Sequence, residues 1–509
     1  MLALSRSPKS RSPESARPDA APLHLPASRR ALPPALLPAL LLALLLAACG
    51  DDRGATPETT IDSQPVPQPE RLELAGAARG RNVLLLTVDT VRADRLNTYG
   101  YQVRQTSPRI DALLADGATF ERAIAPRALT WPSLATVFTG LYPSGHGVLE
   151  NGVSLAEGVG TLAETYAEAG YVTAAFLGNM CGAEWAEFDA YSCTAGQDGK
   201  VVERAAGWLA QRSGEDEDRP FFLWVHLFAA HGPYYNGGDR AQELDPGYEG
   251  TLGTKKWRLD RVMTEEVELS DRDVRHLDAL YDAAVIGTDG SVGRVLDALG
   301  SAVAGESTVT VFLADHGEDL YDHNGYLYHA CSVYQSGLHV PFGIRAPGVL
   351  PGGIRVAQPV ELVDVAPTLL ELTGLPPLAE SHGVSLLPYL ERQGRGGGAG
   401  RPAFSEYGDT RIHTVQADGW KLVFNPDGVT PYCMAGAPEG HYPIAEVELY
   451  DLEADPLELD NLARQEEARV VQMAQLIDQR FSGLAKRQGD KDISPELRDQ
   501  LRALGYVAN

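Results

Sequence analysis

The sequence predicts an α/β protein: a large, mixed but mostly parallel sheet sandwiched by helices, followed by a smaller C-terminal α+β lobe. Three observations carry this. Continuous apolar runs of strand length recur at residues 83–88, 172–177, 221–225 and 308–313, the pattern of strands buried on both faces of a parallel sheet. Helix-period stretches at 107–116, 155–169, 200–211 and 271–299 alternate with them, which is the signature of an α/β sandwich. Finally, a Gly/Arg-rich stretch at 393–401 reads as a linker; short strand-like pieces (421–424, 448–450) and a charged helix over 465–486 follow it.

The N-terminus reads as an address. Residues 1–30 are polar and basic, ending in Arg29-Arg30, and an apolar Leu/Ala/Pro run continues to Ala48. That run is too short and too Pro-broken for a comfortable membrane span, but it suits an export signal. It closes on Leu46-Ala47-Ala48-Cys49, which resembles the cleavage box of bacterial lipoproteins. On this reading residues 1–48 are removed and Cys49 carries a lipid. Gly50 after the cysteine favours the outer membrane, facing the periplasm or the surface; a plain signal peptide is the alternative. Residues 49–80 are polar and Pro-rich and read as a tether. The large domain is expected over 81–392 and the small lobe over 402–509.

The formal net charge of −26 excludes a general affinity for nucleic acid or an anionic surface. An anionic substrate must therefore be attracted locally, by a metal ion or a few placed donors. Beyond Cys49 the cysteines are Cys181, Cys193, Cys331 and Cys433. In an exported protein they permit two disulfides, with three connectivities. Cys181–Cys193, closing a short loop, is favoured, and would leave Cys331–Cys433 to tie the lobes; free buried thiols are the alternative.

The chemistry sits at strand ends. Asp89 directly follows the first apolar run, and Asp315-His316 directly follows the fourth. Ligands of open α/β sheets bind beyond the carboxyl ends of strands. Two carboxylates and an imidazole there suit one divalent cation, Zn²⁺ or Mn²⁺. Between them lies Thr130-Trp131-Pro132-Ser133-Leu134, leading to Gly140. Thr130 is placed like a helix N-cap, Pro132 in the first turn and Gly140 at the C-terminus. Free N–H groups at a helix start favour an alkoxide or a bound oxyanion. A neutral threonine is a weak nucleophile and needs a metal to activate it; an ordinary N-cap is the plainer reading of this segment alone.

Four pieces in order resemble the sulfatase-like hydrolases of the alkaline phosphatase superfamily. Residues 82–100, containing Asp89-Thr90-Val91-Arg92-Ala93-Asp94, look like the opening strand and metal loop. Residues 130–140 with Tyr142-Pro143 resemble the nucleophile signature. Asp315-His316-Gly317-Glu318 resembles the second metal loop, and Tyr450-Asp451-Leu452 with Asp455-Pro456 and Asn461-Leu462 the C-terminal lobe. The resemblance implies Asp89, Asp315, His316 and Thr130 as ligands of one divalent metal (zinc, manganese or calcium) and His231 as a substrate contact. The partner implied is an anionic small-molecule, lipid or glycan ester.

The departures redirect the chemistry. Sulfatases carry Cys or Ser at the nucleophile, converted to formylglycine, with Arg four residues on; here those positions are Thr130 and Leu134. Threonine is not expected to give that aldehyde. A Gly-Lys-x-His stretch is replaced by Gly178-Asn179-Met180-Cys181, and a downstream Lys by His329. Asn179 resembles the amide donor paired with a nucleophilic Thr in phosphodiesterase relatives. A phosphoester-type substrate (phosphodiester or phosphonate) is therefore expected, with Thr130, Asn179, His231 and His329 catalytic. A sulfuric ester hydrolase is the runner-up, and an inert surface-anchored binding lipoprotein is the reading from another class. His226 reads as a core residue and His323 as a loop residue. No acidic partner for a second metal is evident, since Ala229-Ala230 precede His231.

Overall fold

The computed structural model describes residues 72–489, apart from 183–184, 186, 216–218, 229, 235–237, 255–260, 263–266, 303–306, 324, 396–399, 409–410 and 431–442. The leader, the lipidation position Cys49, Cys433 and residues 490–509 lie outside the described residues.

The four apolar runs become β1 (Asn82–Val88), β3 (Val172–Leu177), β5 (Phe221–Leu227) and β6 (Thr308–Ala314), all essentially buried. They are parallel neighbours, and helices cover both faces, so an uninterrupted apolar run is what such strands require. Four further strands complete the sheet: β2 (Ala118–Ile124), β4 (Ala190–Cys193), β9 (His339–Arg345) and β10 (Ile354–Glu361). Its order is β10-β2-β9-β6-β1-β5-β3-β4. Among these pairings only those of β9 with β2 and β6 are antiparallel. The expected mixed, mostly parallel sheet is therefore present.

A two-stranded ribbon stands outside this sheet, formed by β7 (Asp319–Leu320) and β8 (Leu327–Tyr328). The C-terminal lobe is a four-stranded antiparallel sheet of β11 (Ala403–Tyr407), β12 (Ile412–Ala417), β13 (Trp420–Phe424) and β14 (Val447–Asp451). The helix Glu467–Phe481 lies on it, burying Met473 and Ile477 among Phe404, Val415, Leu422 and Leu449. Tyr142 and Val363 of the large domain join that cluster, so the two lobes share a core.

Two boundaries shift. The tether expected to run to residue 80 ends earlier. Leu74 and Ala78 are buried, and the backbone of Gly76 and Ala78 donates to Glu371 and Leu372. The helix expected from residue 155 starts at Leu162, where Thr161 and Glu164 form a reciprocal capping box that fixes the entry point.

Candidate active site

Strand register builds the site. Val88 of β1 lies beside Ala314 of β6, so the next residue of each strand, Asp89 and Asp315, emerge side by side. Both are fully buried, as is His316. His316 Nε2 lies 3.5 Å from Asp89 Oδ1 and 3.7 Å from Asp315 Oδ2. Among the described residues, neither carboxylate oxygen has a hydrogen-bond donor. Their other oxygens are engaged: Asp315 Oδ1 accepts from the backbone N–H of His316 at 2.8 Å and of Thr90 at 3.3 Å, and Asp89 Oδ2 accepts from Asn179 Nδ2 at 2.6 Å.

The helix Thr130–Thr139 brings in the hydroxyl. Its start is one residue earlier than expected: Leu129 holds the N-cap position and Thr130 is the first helical residue. A capping side chain would bond the helix's own N–H groups, whereas Thr130 Oγ1 meets His316 Nε2 at 3.3 Å. Ser133 Oγ donates to the Asp315 carbonyl at 2.6 Å, pinning the first turn to the loop that carries Asp315 and His316. Gly140, at φ 65°, ends the helix in the left-handed conformation, as the sequence implied.

Asn179 follows β3 and is buried. Two residues on, Cys181 is bridged to Cys193 of β4, which realises the favoured short-loop disulfide and sets Cys193 Sγ 3.3 Å from the Asn179 carbonyl. Cys331 is also disulfide-bonded. His231, after β5, is buried, with Nδ1 2.6 Å from the Gly232 carbonyl and Nε2 3.2 Å from the Tyr328 hydroxyl. The His329 ring stands 4.8 Å from that of His231 and 4.7 Å from that of His316. The structure thus gathers every expected site residue, Asp89, Thr130, Asn179, His231, Asp315, His316 and His329, into one buried neighbourhood.

A further residue of the Asp315-His316-Gly317-Glu318 stretch, one to which the sequence assigns no role, joins them. Glu318 is fully buried, with Oε2 3.3 Å from His329 Nδ1. The acidic partner absent beside His231 is thus supplied to His329 by the residue two after His316. His226 is a core residue as expected, its Nδ1 2.8 Å from Thr87 Oγ1. His323 lies in the turn between β7 and β8, as expected. It is buried, stacked 3.6 Å from Tyr334 with Nδ1 3.3 Å from the Leu457 carbonyl, because the C-terminal lobe closes over it.

The electrostatics of the protein alone are unfavourable to charge. Burial, then Asp315 and Glu318, push the Asp89 carboxyl well above the usual range. Burial raises Asp315 as well, against the opposing pull of His316. Burial lowers His231 to about 3 and drives His329 well below its ordinary value. Two carboxylate oxygens without donors, converging with an imidazole nitrogen and a hydroxyl, are what a divalent cation would satisfy. Asp89, Asp315 and His316 have ligand atoms close enough to share one ion, and the mixed O/N donor set fits.

An α/β sandwich of this order, with a small antiparallel lobe behind it, is the architecture of the alkaline phosphatase-like hydrolases. The sulfatase family model matches residues 81–375, more than half of the chain, and the protein belongs to that family. Arylsulfatase K of Danio rerio is 27% identical over 302 residues, a match that covers 53% of this chain and 53% of that relative. The chain thus spans about half the length of that relative. An N-acetylglucosamine-6-O-sulfatase of Bacteroides thetaiotaomicron is 23% identical over 481 residues, covering 75% of this chain and 82% of that protein. Among solved structures, one in complex with its substrate D-glucosamine-2-N,6-O-disulfate aligns with a TM-score of 0.64 and 19% identity, over 81% of this chain and 100% of the other. The phosphonate monoester hydrolase of Agrobacterium radiobacter aligns at 0.59 and 22% identity, over 79% and 95%. At these identities the structural likeness carries the fold.

Proposed function

We propose that the protein is an exported, lipid-anchored hydrolase or transferase that cleaves phosphoester-type substrates (phosphodiesters or phosphonates) with Thr130 as nucleophile. The observation that carries this is the Thr130 hydroxyl, at the first turn of a buried helix and 3.3 Å from His316 Nε2, beside the donor-free oxygens of Asp89 and Asp315. Asp89, Asp315, His316 and Thr130 would hold one divalent ion. When bound, that ion lowers the pKa of the threonine hydroxyl and offsets the substrate's negative charge.

Thr130 Oγ1 attacks phosphorus in line, the leaving alkoxide departs, and a phosphothreonine results. The free N–H groups of the helix start, with His231 and Asn179, hold the non-bridging oxygens. Water or an acceptor hydroxyl then displaces Thr130. Leu134, fully buried, stands where sulfatases carry arginine, and Asn179 and Cys181 stand at the lysine and histidine of their Gly-Lys-x-His stretch. These replacements remove cationic contacts and, with the threonine, disfavour formylglycine chemistry.

The test is a panel of aryl sulfate, phosphate monoester, phosphodiester and phosphonate, each run with zinc, manganese and calcium. The reading expects phosphoester turnover, a phosphate adduct on Thr130 by peptide mass spectrometry, and a loss of about 10³-fold or more in Thr130→Ala. Full activity in that variant sinks it. A second reading, sulfuric ester hydrolysis, is favoured by the family itself and by the sulfatases among its relatives; aryl sulfate as the preferred substrate would select it.

A further inference from the structure

Glu318 is placed by three elements at once. In the ribbon of β7 and β8, Asp319 faces Tyr328 and Leu320 faces Leu327. The next facing pair outward is Glu318 and His329. Their side chains meet at 3.3 Å, between Oε2 and Nδ1, and both are fully buried. The Glu318 backbone is clamped: its N–H donates to Ser336 O at 3.0 Å, and its carbonyl accepts from Arg92 Nη1 at 3.1 Å. The Tyr234 hydroxyl also faces its carboxylate. The His329 ring stacks 3.9 Å from Tyr328 and stands against His316 and His231. Both partners are therefore held by groups other than each other.

We propose that Glu318 is a positioning residue for the reaction: it accepts the Nδ1–H of His329 and so fixes the tautomer whose lone pair sits on Nε2. A carboxylate that orients an imidazole in this way leaves the far nitrogen as a proton acceptor. The substrate of that nitrogen is the water or hydroxyl that resolves the Thr130 adduct. The incoming O–H gives its proton to His329 Nε2, its oxygen bonds to phosphorus, and the P–Oγ1 bond breaks with its electron pair on Thr130. The ring then releases the proton to solvent, which supplied one to the departing alkoxide in the first step. This inference rests on the Thr130 reading.

The first step does not need the Glu318–His329 pair and the second does, so the two separate kinetically. With an aryl phosphodiester and metal-loaded protein, Glu318→Ala should lower kcat about 10²-fold or more while kcat/KM changes less than about 3-fold. A covalent adduct should then accumulate on Thr130 in intact-protein mass spectra. Glu318→Gln, whose amide oxygen still accepts Nδ1–H, should recover part of kcat. Adding Glu318→Ala to His329→Ala should change kcat less than about 3-fold, as expected when both act through one pair. Metal content should match wild type in every variant. Parallel falls in kcat and kcat/KM, independent multiplying losses, or loss of metal in Glu318→Ala would each overturn the proposal. Should Glu318→Ala not fold, Glu318→Gln and His329→Ala decide: His329→Ala must accumulate the adduct. Where Thr130→Ala keeps wild-type turnover, the Thr130 reading fails. Where it is inactive and no variant accumulates adduct, the pair alone fails.

Discussion

Gly317 sits between His316, a proposed metal ligand, and Glu318, and its lack of a side chain is a geometric requirement. A Cβ at this position would lie 1.9 Å from the Ser336 carbonyl oxygen. That oxygen already accepts the Glu318 N–H at 3.0 Å, and Gly317 N donates to Gly337 O at 2.8 Å. To reach even a tight contact of 3.0 Å, the loop or its neighbour must move by about 1 Å. A displacement of about 1 Å costs on the order of 10²-fold in rate when it reaches reacting groups. Gly317→Ala should therefore lose about 10²-fold in kcat/KM and about tenfold or more in metal affinity, with an overpacking penalty of about 1–3 kcal/mol. Metal titration followed by calorimetry reads the affinity without any assumption about substrate, and urea unfolding reads the stability. An alanine variant that binds metal and turns over like wild type would refute the claim that this close approach sets the position of His316.

Two other perturbations probe the lobes. Lys421 Nζ and Glu458 Oε1 pair at 2.6 Å, both buried, while Glu458 Oε2 also accepts the Gln335 N–H. Lys421→Ala would strand a buried carboxylate and should cost about 3–5 kcal/mol in denaturant unfolding; a loss under about 1 kcal/mol contradicts this. Burial pushes Glu406 from its ordinary 4.5 up to about 7, so the folded state holds this proton more tightly than the unfolded chain. Its stability contribution is complete below pH 4.5 and declines as the pH rises through 7. Glu406→Gln should gain on wild type between pH 5 and 8 by an amount on the order of 3 kcal/mol. Unfolding curves that stay parallel across that range would exclude it.

In the large sheet, the strands that the sequence revealed are those buried on both faces. Two of the missed ones carry local exceptions that packing forgives. In β9, Pro341 falls at the register shift opposite Glu121-Arg122 of β2, beyond the last pairing with β6, where no ladder N–H is needed. Pro359 of β10 lies likewise at a register shift on an edge strand. The capping box at Thr161 and Glu164 was a legible start signal that the broader apolar pattern obscured. Within the site, Asp89, Asp315 and His316 were readable because a strand end is a local feature. The Glu318–His329 contact depends on the chain folding back through β7 and β8, two-residue strands too short to show any periodicity. The alternation of Leu320 with Leu327 and Tyr328 offered little to read.

The side-by-side emergence of Asp89 and Asp315 has an evolutionary meaning. Their separation is set by the spacing of two central strands, about 4.8 Å in any sheet, and not by the loops that carry the other groups. Thr130 arrives on a helix, Asn179 on the turn after β3 and His329 directly after the β7–β8 ribbon. Each of these can be exchanged without altering the strand-borne pair. A lineage can therefore change the groups on those elements while the carboxylate pair stays in register. The backbone ladder itself maintains the pair, whatever those elements bring to it.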